Sequence, residues 1–301
     1  MTTSALRGKV LAAYVTLCLV WGSTFLAIRI GVRSFPPALF SGTRFLAAGL
    51  IVLAIALALG RKMPRKADWK TAFVVGALLL TLGNGLVVAG SRFVESGTAA
   101  ILVLGGALWM SLLDAVIPGS EARVTPSQFA GLIVGYAGTL LLNGGNLEAL
   151  RRADWRGPLF FIGSNICWGL GTVYSKRHPV DGSPEMQSAI QMIAGGAMLV
   201  VIGTIFGEWS GFAPTATGWS AILYLMVFGS IVGYSCFVYV LRHTSPTITS
   251  TYYYVNTVIA ILLGAAVLHE QITARTVAAV ILVIGSVIWV QRTGRSANTP
   301  T

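Results

Sequence analysis

Trp21 and Trp168 stand 147 positions apart, each followed by glycine and each inside a long apolar run. Each lies about twelve residues into its run, and at ~1.5 Å of helix rise per residue that depth reaches the middle of a bilayer core. Tryptophan ordinarily prefers the headgroup level. Two indoles at mid-depth, each with an N–H that needs an acceptor, point to a shared central cavity. The alternative is that each fills space beside a neighbouring glycine. Trp109, at about the same depth in its own run by the same rise, is a third candidate. The amides Asn84, Asn165, Gln191 and Asn256 also fall inside apolar runs, where uncharged amides either join helices by hydrogen bonds or meet a ligand. Tyr252, Tyr253 and Tyr254 span nearly a full helical turn, so at most two can share one face; Tyr234 and Tyr239 are further lining candidates. An aromatic wall of this kind suits apolar or aromatic solutes, and cations through the ring faces. Ordinary aromatic packing is the competing reading.

Arg44 is the one cation clearly within a run. Its position costs ~2.5–3.5 kcal/mol on the insertion scale, so it must face protein or water. It can pair with a substrate carboxylate or satisfy backbone carbonyls. The acids Asp68, Glu95, Glu121, Glu148, Asp154, Asp181, Glu185, Glu208 and Glu270 fall at the ends of runs or between them. Asp114, late in the fourth run, is placed to pair with a basic residue of an inner loop. No carboxylate reaches mid-depth, where proton-coupled pumps usually keep one. Facilitated diffusion, or coupling through another group, fits better.

Enzymes within membranes need a nucleophile, paired acids or a metal. His178, His243 and His269 sit at run ends, and neither an HExxH motif nor a pair of deep aspartates exists. Cys18, Cys167 and Cys236 have no metal-ligand spacing. No metal or cofactor is expected. An intramembrane enzyme acting on lipid or peptide, and a small-molecule channel, which would need rings of carbonyls or charges, are the competing classes.

The elements that position these residues follow from composition. Of 301 residues 55% are hydrophobic and 10% charged, against about 25% charged in soluble domains, and the mean hydropathy is +0.76. The expected fold is all-α and integral to the membrane. Its ten spans cover 9–31, 36–59, 69–91, 96–117, 126–143, 156–176, 185–206, 218–241, 247–268 and 274–292. The Trp-Gly block, the following Pro36 or Pro184, and run ends at Gly60 or Gly207 recur at one offset. Residues 1–147 and 148–301 are therefore expected to be two five-helix repeats. An odd span count inverts the second, and inverted repeats place a site near the midplane between the halves.

The net charge of +11 reads as topology rather than nucleic-acid binding. Arg61, Lys62, Arg65, Lys66 and Lys70 weigh toward both termini cytoplasmic, whereas Arg151, Arg152 and Arg156 weigh the other way. Small-xxx-small spacings at Gly131/Gly135, Gly203/Gly207 and Gly229/Gly233 let helices approach closely. Packing within one chain is the default; a homodimer through Gly131/Gly135 is the alternative to a monomer.

The string from Leu19 to Arg29, with Trp21-Gly22-Ser23 at its centre, resembles the first helix of the EamA family of the drug/metabolite transporter superfamily. Phe35-Pro36-Pro37 followed by Gly42 to Gly49 resembles its second helix. Glu121 and Glu270 stand where that family usually has an acid. Leu82 to Leu86 and Leu108-Trp109-Met110 resemble its YedA-like branch. The resemblance covers the whole chain and implies a multi-pass inner-membrane transporter, an exporter by preference, of small metabolites such as amino acids or aromatic and amphipathic compounds. It implies that spans 1, 3, 4, 6, 8 and 9 surround the site, with 5 and 10 peripheral, and favours Asn84 and Asn256 among the amides. It also favours a structural or gating role for Arg44. The expected lining is then Trp21, Asn84, Trp109, Trp168, Tyr234, Tyr253 and Asn256, with Arg44 and Asp114 as structural or gating groups.

Overall fold

The computed structural model of the protein describes residues 3–32, 34–94, 96–118, 124–142, 154–213, 215–256, 258–259 and 273–296. Its helices are labelled here in chain order. α1 runs Thr3–Gly31 and α2 Pro37–Ala58. α3 begins as Lys66–Val75, winds as a π-helix over Gly76–Asn84 and returns to α geometry at Gly85–Gly90. α4 is Ser96–Val116, α5 Pro126–Leu142, α6 Arg156–Arg177 and α7 Pro184–Ile205. α8 repeats the pattern of α3, with Ala216–Tyr224, a π-helix over Leu225–Tyr234, and Ser235–His243. α9 opens at Pro246–Ser250 and continues, after Thr251, over 252–256. α10 is Ala274–Ser296.

Together they make an all-α, multi-pass membrane bundle. Among the described residues, Pro37–Ala58, Asp68–Gly90, Pro184–Ile205 and Ala216–His243 are long and apolar enough to cross a bilayer. The outer faces are apolar too: Leu50, Ile55, Val201, Ile205, Ile281 and Ile284 are exposed. Apolar surface on that scale needs lipid as its solvent, and helices satisfy their own backbone there.

The helix ends follow from local chemistry. Pro37, Pro184 and Pro246 occupy first-turn positions, where a missing N–H costs nothing. Ser183 and Ser245 hydroxyls accept from the Met186 and Ile248 backbone N–H groups, each at 3.2 Å. Thr125 and Gln128 close a reciprocal capping box at α5, at 3.0 and 3.1 Å. At α6, the Arg156 guanidinium on Asp154 holds that carboxyl below the usual carboxylate range. Gly60 and Gly207, 147 positions apart, end α2 and α7 with φ of 69° and 68°, a left-handed turn that glycine adopts freely.

Two sets of loop contacts tie the chain's halves at opposite ends of the α2–α7 pair. Beyond α7, the Glu208 carboxylate accepts from the Leu39 and Ala38 backbone N–H groups at 2.9 and 3.3 Å, capping the start of α2. Beyond α2, Arg65 pairs with Asp181 at 2.5 Å and Arg61 with Glu185 at 3.9 Å, close to the start of α7.

α2 and α7 pack backbone to backbone. A Cβ at Gly42 would stand 2.8 Å from Val200 N, one at Gly49 2.8 Å from Ile193 N, and one at Gly196 2.5 Å from Leu46 N. α5 and α10 pair likewise. Gly131 faces Val290, and Gly135 faces Ser286 and Tyr254, so the Gly131/Gly135 face is covered within the chain. The Gly203/Gly207 spacing is not a helix face: Gly203 meets Leu39, while Gly207 lies past the helix end. α1 starts at Thr3, earlier than the apolar run, because its polar first residues continue the helix. Glu95, Glu121, Gly145, Glu148, Arg151, Arg152, His269, Glu270 and the junction at 147–148 lie outside the described residues, as does most of the ninth span beyond Val258 and Ile259.

Candidate solute-binding cavity

A cavity of about 120 Å3 lies among α1, α2, α3, α4, α6, α8 and α9. The engineered cavity that accepts benzene is roughly 150 Å3, so the space here suits a small solute. Of the residues expected from sequence, Trp21, Asn84, Trp168, Tyr234, Tyr253 and Asn256 line it, together with Arg44. Trp109 is half-buried on α4 and is not among the lining residues, and neither is Tyr239, whose ring lies beside His243. Tyr254 turns the other way and donates to the Leu132 carbonyl at 2.8 Å. That leaves two of the three tyrosines, Tyr252 and Tyr253, on the cavity side.

The two tryptophans meet. Their ring centroids are 5.7 Å apart at 73°, edge to face. Trp21 also stacks on Phe237 at 5.6 Å and meets Tyr252 edge-on at 5.1 Å, while Tyr252 and Tyr253 stack at 4.3 Å. Both indoles rest on glycine of a π-wound helix contributed by the other half of the chain. A Cβ at Gly233 would collide with the Trp21 ring, and one at Gly83 would stand 2.9 Å from Trp168 Cε3. The two readings of these tryptophans, cavity wall and partner of a glycine, are thus both realised. Trp21 Nε1 donates to the Gly229 carbonyl at 2.9 Å, inside the π segment of α8. The Trp168 N–H lies beside the Tyr252 hydroxyl without closing a hydrogen bond.

The π segments explain part of the placement. With i→i+5 bonding they change which direction each following side chain faces, and such segments recur at functional sites. Asn84 is the last residue of one and Tyr234 the last of the other. Tyr234 donates to Gln191 Oε1 at 2.8 Å, so Gln191 supports the wall from behind. Ser164 and Asn165 donate to the carbonyls of Gly83 and Leu102 at 2.6 and 2.8 Å. The Asn256 amide nitrogen faces the carbonyls of Cys18 and Tyr252, each at 3.0 Å. Asn165 and Asn256 thus join helices and line the cavity at once.

Arg44 is 3% exposed. Its Nη2 donates to Asn84 Oδ1 at 3.1 Å, and its guanidinium carbon lies 4.2 Å from the centroid of the Phe45 ring. It brings α2 into the lining, a helix outside the expected set. Thr24 and Ser164 also line the cavity without having been singled out, and Tyr252 lines it although only Tyr253 of the three tyrosines was in the expected lining. Ser164 could have been found as the neighbour of Asn165, and Thr24 as the residue one turn beyond Trp21. Asp114 is 3% exposed, away from the cavity lining, and pairs with Arg177 at 3.6 Å; Arg177 Nη2 also donates to its backbone carbonyl at 3.2 Å.

A multi-pass helical bundle around a small aromatic cavity is the architecture of a membrane carrier rather than of a soluble binding protein. The EamA-like transporter family matches the chain twice, over residues 8–144 and 155–292. The chain belongs to that family, within the drug/metabolite transporter superfamily and on its YedA-like branch, and the family is one of transporters, not enzymes. YedA of Escherichia coli K12, named an uncharacterized inner membrane transporter, is 39% identical over 263 residues, covering 87% of this chain and 83% of YedA. The uncharacterized transporter YvbV of Bacillus subtilis 168 is 26% identical over 90% of this chain and 88% of its own. A protein of known crystal structure superimposes with a TM-score of 0.75 over 95% of this chain and 98% of that one. At 20% identity this is a likeness of fold.

Proposed function

We propose that the protein carries small metabolites across the inner membrane, by export, through alternating access around the aromatic cavity. Ten spans in two inverted five-helix repeats, 1–147 and 148–301, both termini cytoplasmic and a monomeric carrier complete the proposal. The observation that carries it is the Trp21–Trp168 contact. Repeat-related indoles from α1 and α6 meet at the cavity, each seated on a π-wound helix of the other half. A fixed site between inverted halves is what alternating access requires. The matching π segments of α3 and α8 and the matching glycine ends of α2 and α7 support the repeat. The inner-membrane placement is supported by YedA's description.

Trp21, Asn84, Trp168, Tyr234, Tyr253 and Asn256 are proposed as the solute contacts. No described lining residue is a carboxylate, so the proposal includes no carboxylate relay at the site. The test is a thermal-shift screen of purified protein against amino acids, amines and aromatic metabolites, followed by uptake of the stabilising solutes into proteoliposomes. A native-state ligand raises the melting temperature by mass action. Stabilising solutes that never cross the liposome membrane would remove the carrier reading.

A further inference from the structure

We infer that the cavity is built for a small monocarboxylate whose charged head pairs with Arg44 and whose apolar part lies on the Trp21–Trp168 wall. The inference rests on the transporter reading and names its substrate class. A guanidinium has five N–H donors. Among the described residues Arg44 spends one on a hydrogen bond, to Asn84, and its buried Nε has no partner. No carboxylate of the described residues pairs with it: Asp68 pairs with Arg65, and Asp114 with Arg177.

The described residues of the lining therefore carry one positive charge and no negative one. In a site of low dielectric that charge draws in an anion and repels a cation far more strongly than it would in water. Binding of cations through the ring faces, open on aromatic content alone, is disfavoured by it. Asn84 gives its oxygen to Arg44, which leaves its N–H2 as a second donor for the same head group. A purely structural arginine would be expected to spend its donors on backbone carbonyls; the hydrogen bond recorded for Arg44 goes to a side chain that itself lines the cavity. A carboxylate matches the planar fork of a guanidinium and carries one charge against one. A phosphate dianion would bring a second charge with no second cation among the described lining residues to meet it. The cavity, at about 120 Å3, also limits the apolar part to roughly one ring.

Benzoate, benzamide and benzylamine share a ring and differ in head group, so they isolate the charge. Their binding by thermal shift and their uptake into proteoliposomes would be measured on the intact protein, on Arg44→Gln and on Arg44→Lys. Benzoate is expected to bind at least tenfold more tightly than benzamide, with benzylamine weakest. Arg44→Gln should weaken benzoate at least tenfold, down to the benzamide level, and leave benzamide unchanged; Arg44→Lys should restore part of the difference. Should Arg44→Gln not fold, the order of the three probes on the unmodified protein decides. Benzamide or benzylamine binding as well as benzoate would overturn the inference. Uptake of benzamide or benzylamine without benzoate would overturn it while leaving transport standing. Benzoate binding without uptake of any probe would uphold the anion site and sink the transporter reading. No binding and no uptake of any of the three would overturn the inference.

Discussion

Trp21 is fixed by its N–H bond to Gly229, by the bare backbone of Gly233 and by three aromatic neighbours. Removing either central indole deletes a buried aromatic contact, so Trp21→Ala and Trp168→Ala should each weaken solute binding by about 1–3 kcal/mol. Both proteins should still insert and purify, and titration of a transported solute would measure the loss. Trp289 is the control: it is partly exposed and donates to Ser127 on α5. Trp289→Ala should leave transport near normal, and the reverse pattern would end the central-cavity assignment. Gly233→Ala should act like loss of Trp21, because a Cβ there occupies the place of the ring. The tryptophan pair was legible in the sequence because depth can be counted from the ends of apolar runs. The Arg44–Asn84 bond was not, because nothing local in either segment says that side chains 40 positions apart on two helices meet.

Among the elements, the helix ends make the sharpest expectations. Glu208 is the side-chain cap of α2. Glu208→Ala should lower stability by about 1 kcal/mol, the usual worth of a cap, with little change in solute affinity; thermal denaturation in detergent would read it. Asp114→Asn should likewise lower stability by weakening the pair with Arg177 while exchange in liposomes continues. Loss of exchange in folded, monodisperse Asp114→Asn would show instead that the acid belongs to the mechanism. Most helices were readable from run length and the prolines at their starts. The π segments of α3 and α8 were not, since an i→i+5 winding and an α-helix are written in the same apolar residues. Trp109 shows a related limit: depth counted along a helix says nothing about which side of the helix faces the cavity.

For the whole molecule, the α2–α7 contacts make a statement about sidedness. The start of α2 is held by Glu208, and the region beyond its end is held by Asp181 and Glu185. In the proposed topology the first set is outside and the second inside, where Arg61 and Arg65 obey the basic excess. Reporter fusions after Gly145 and at the C-terminus should then report outside and inside, respectively. The same compartment for both would remove the five-plus-five inverted arrangement. The composition alone placed this chain in a membrane; which halves touch, and through which helices, had to come from the packing of α2 on α7 and α5 on α10.

The bare seam between α2 and α7 also bears on how such a chain can diversify. At Gly42, Gly49 and Gly196 even one methyl group would strike the opposing backbone, so these positions have almost no freedom to vary. Variation that changes what the cavity accepts is left to residues such as Leu80, Val87 and Val103, whose side chains border the space. A saturation library selected for a new solute should accumulate changes at those three sites and return glycine at the seam. An engineer enlarging the range of solutes would do well to leave the glycines between α2 and α7 untouched.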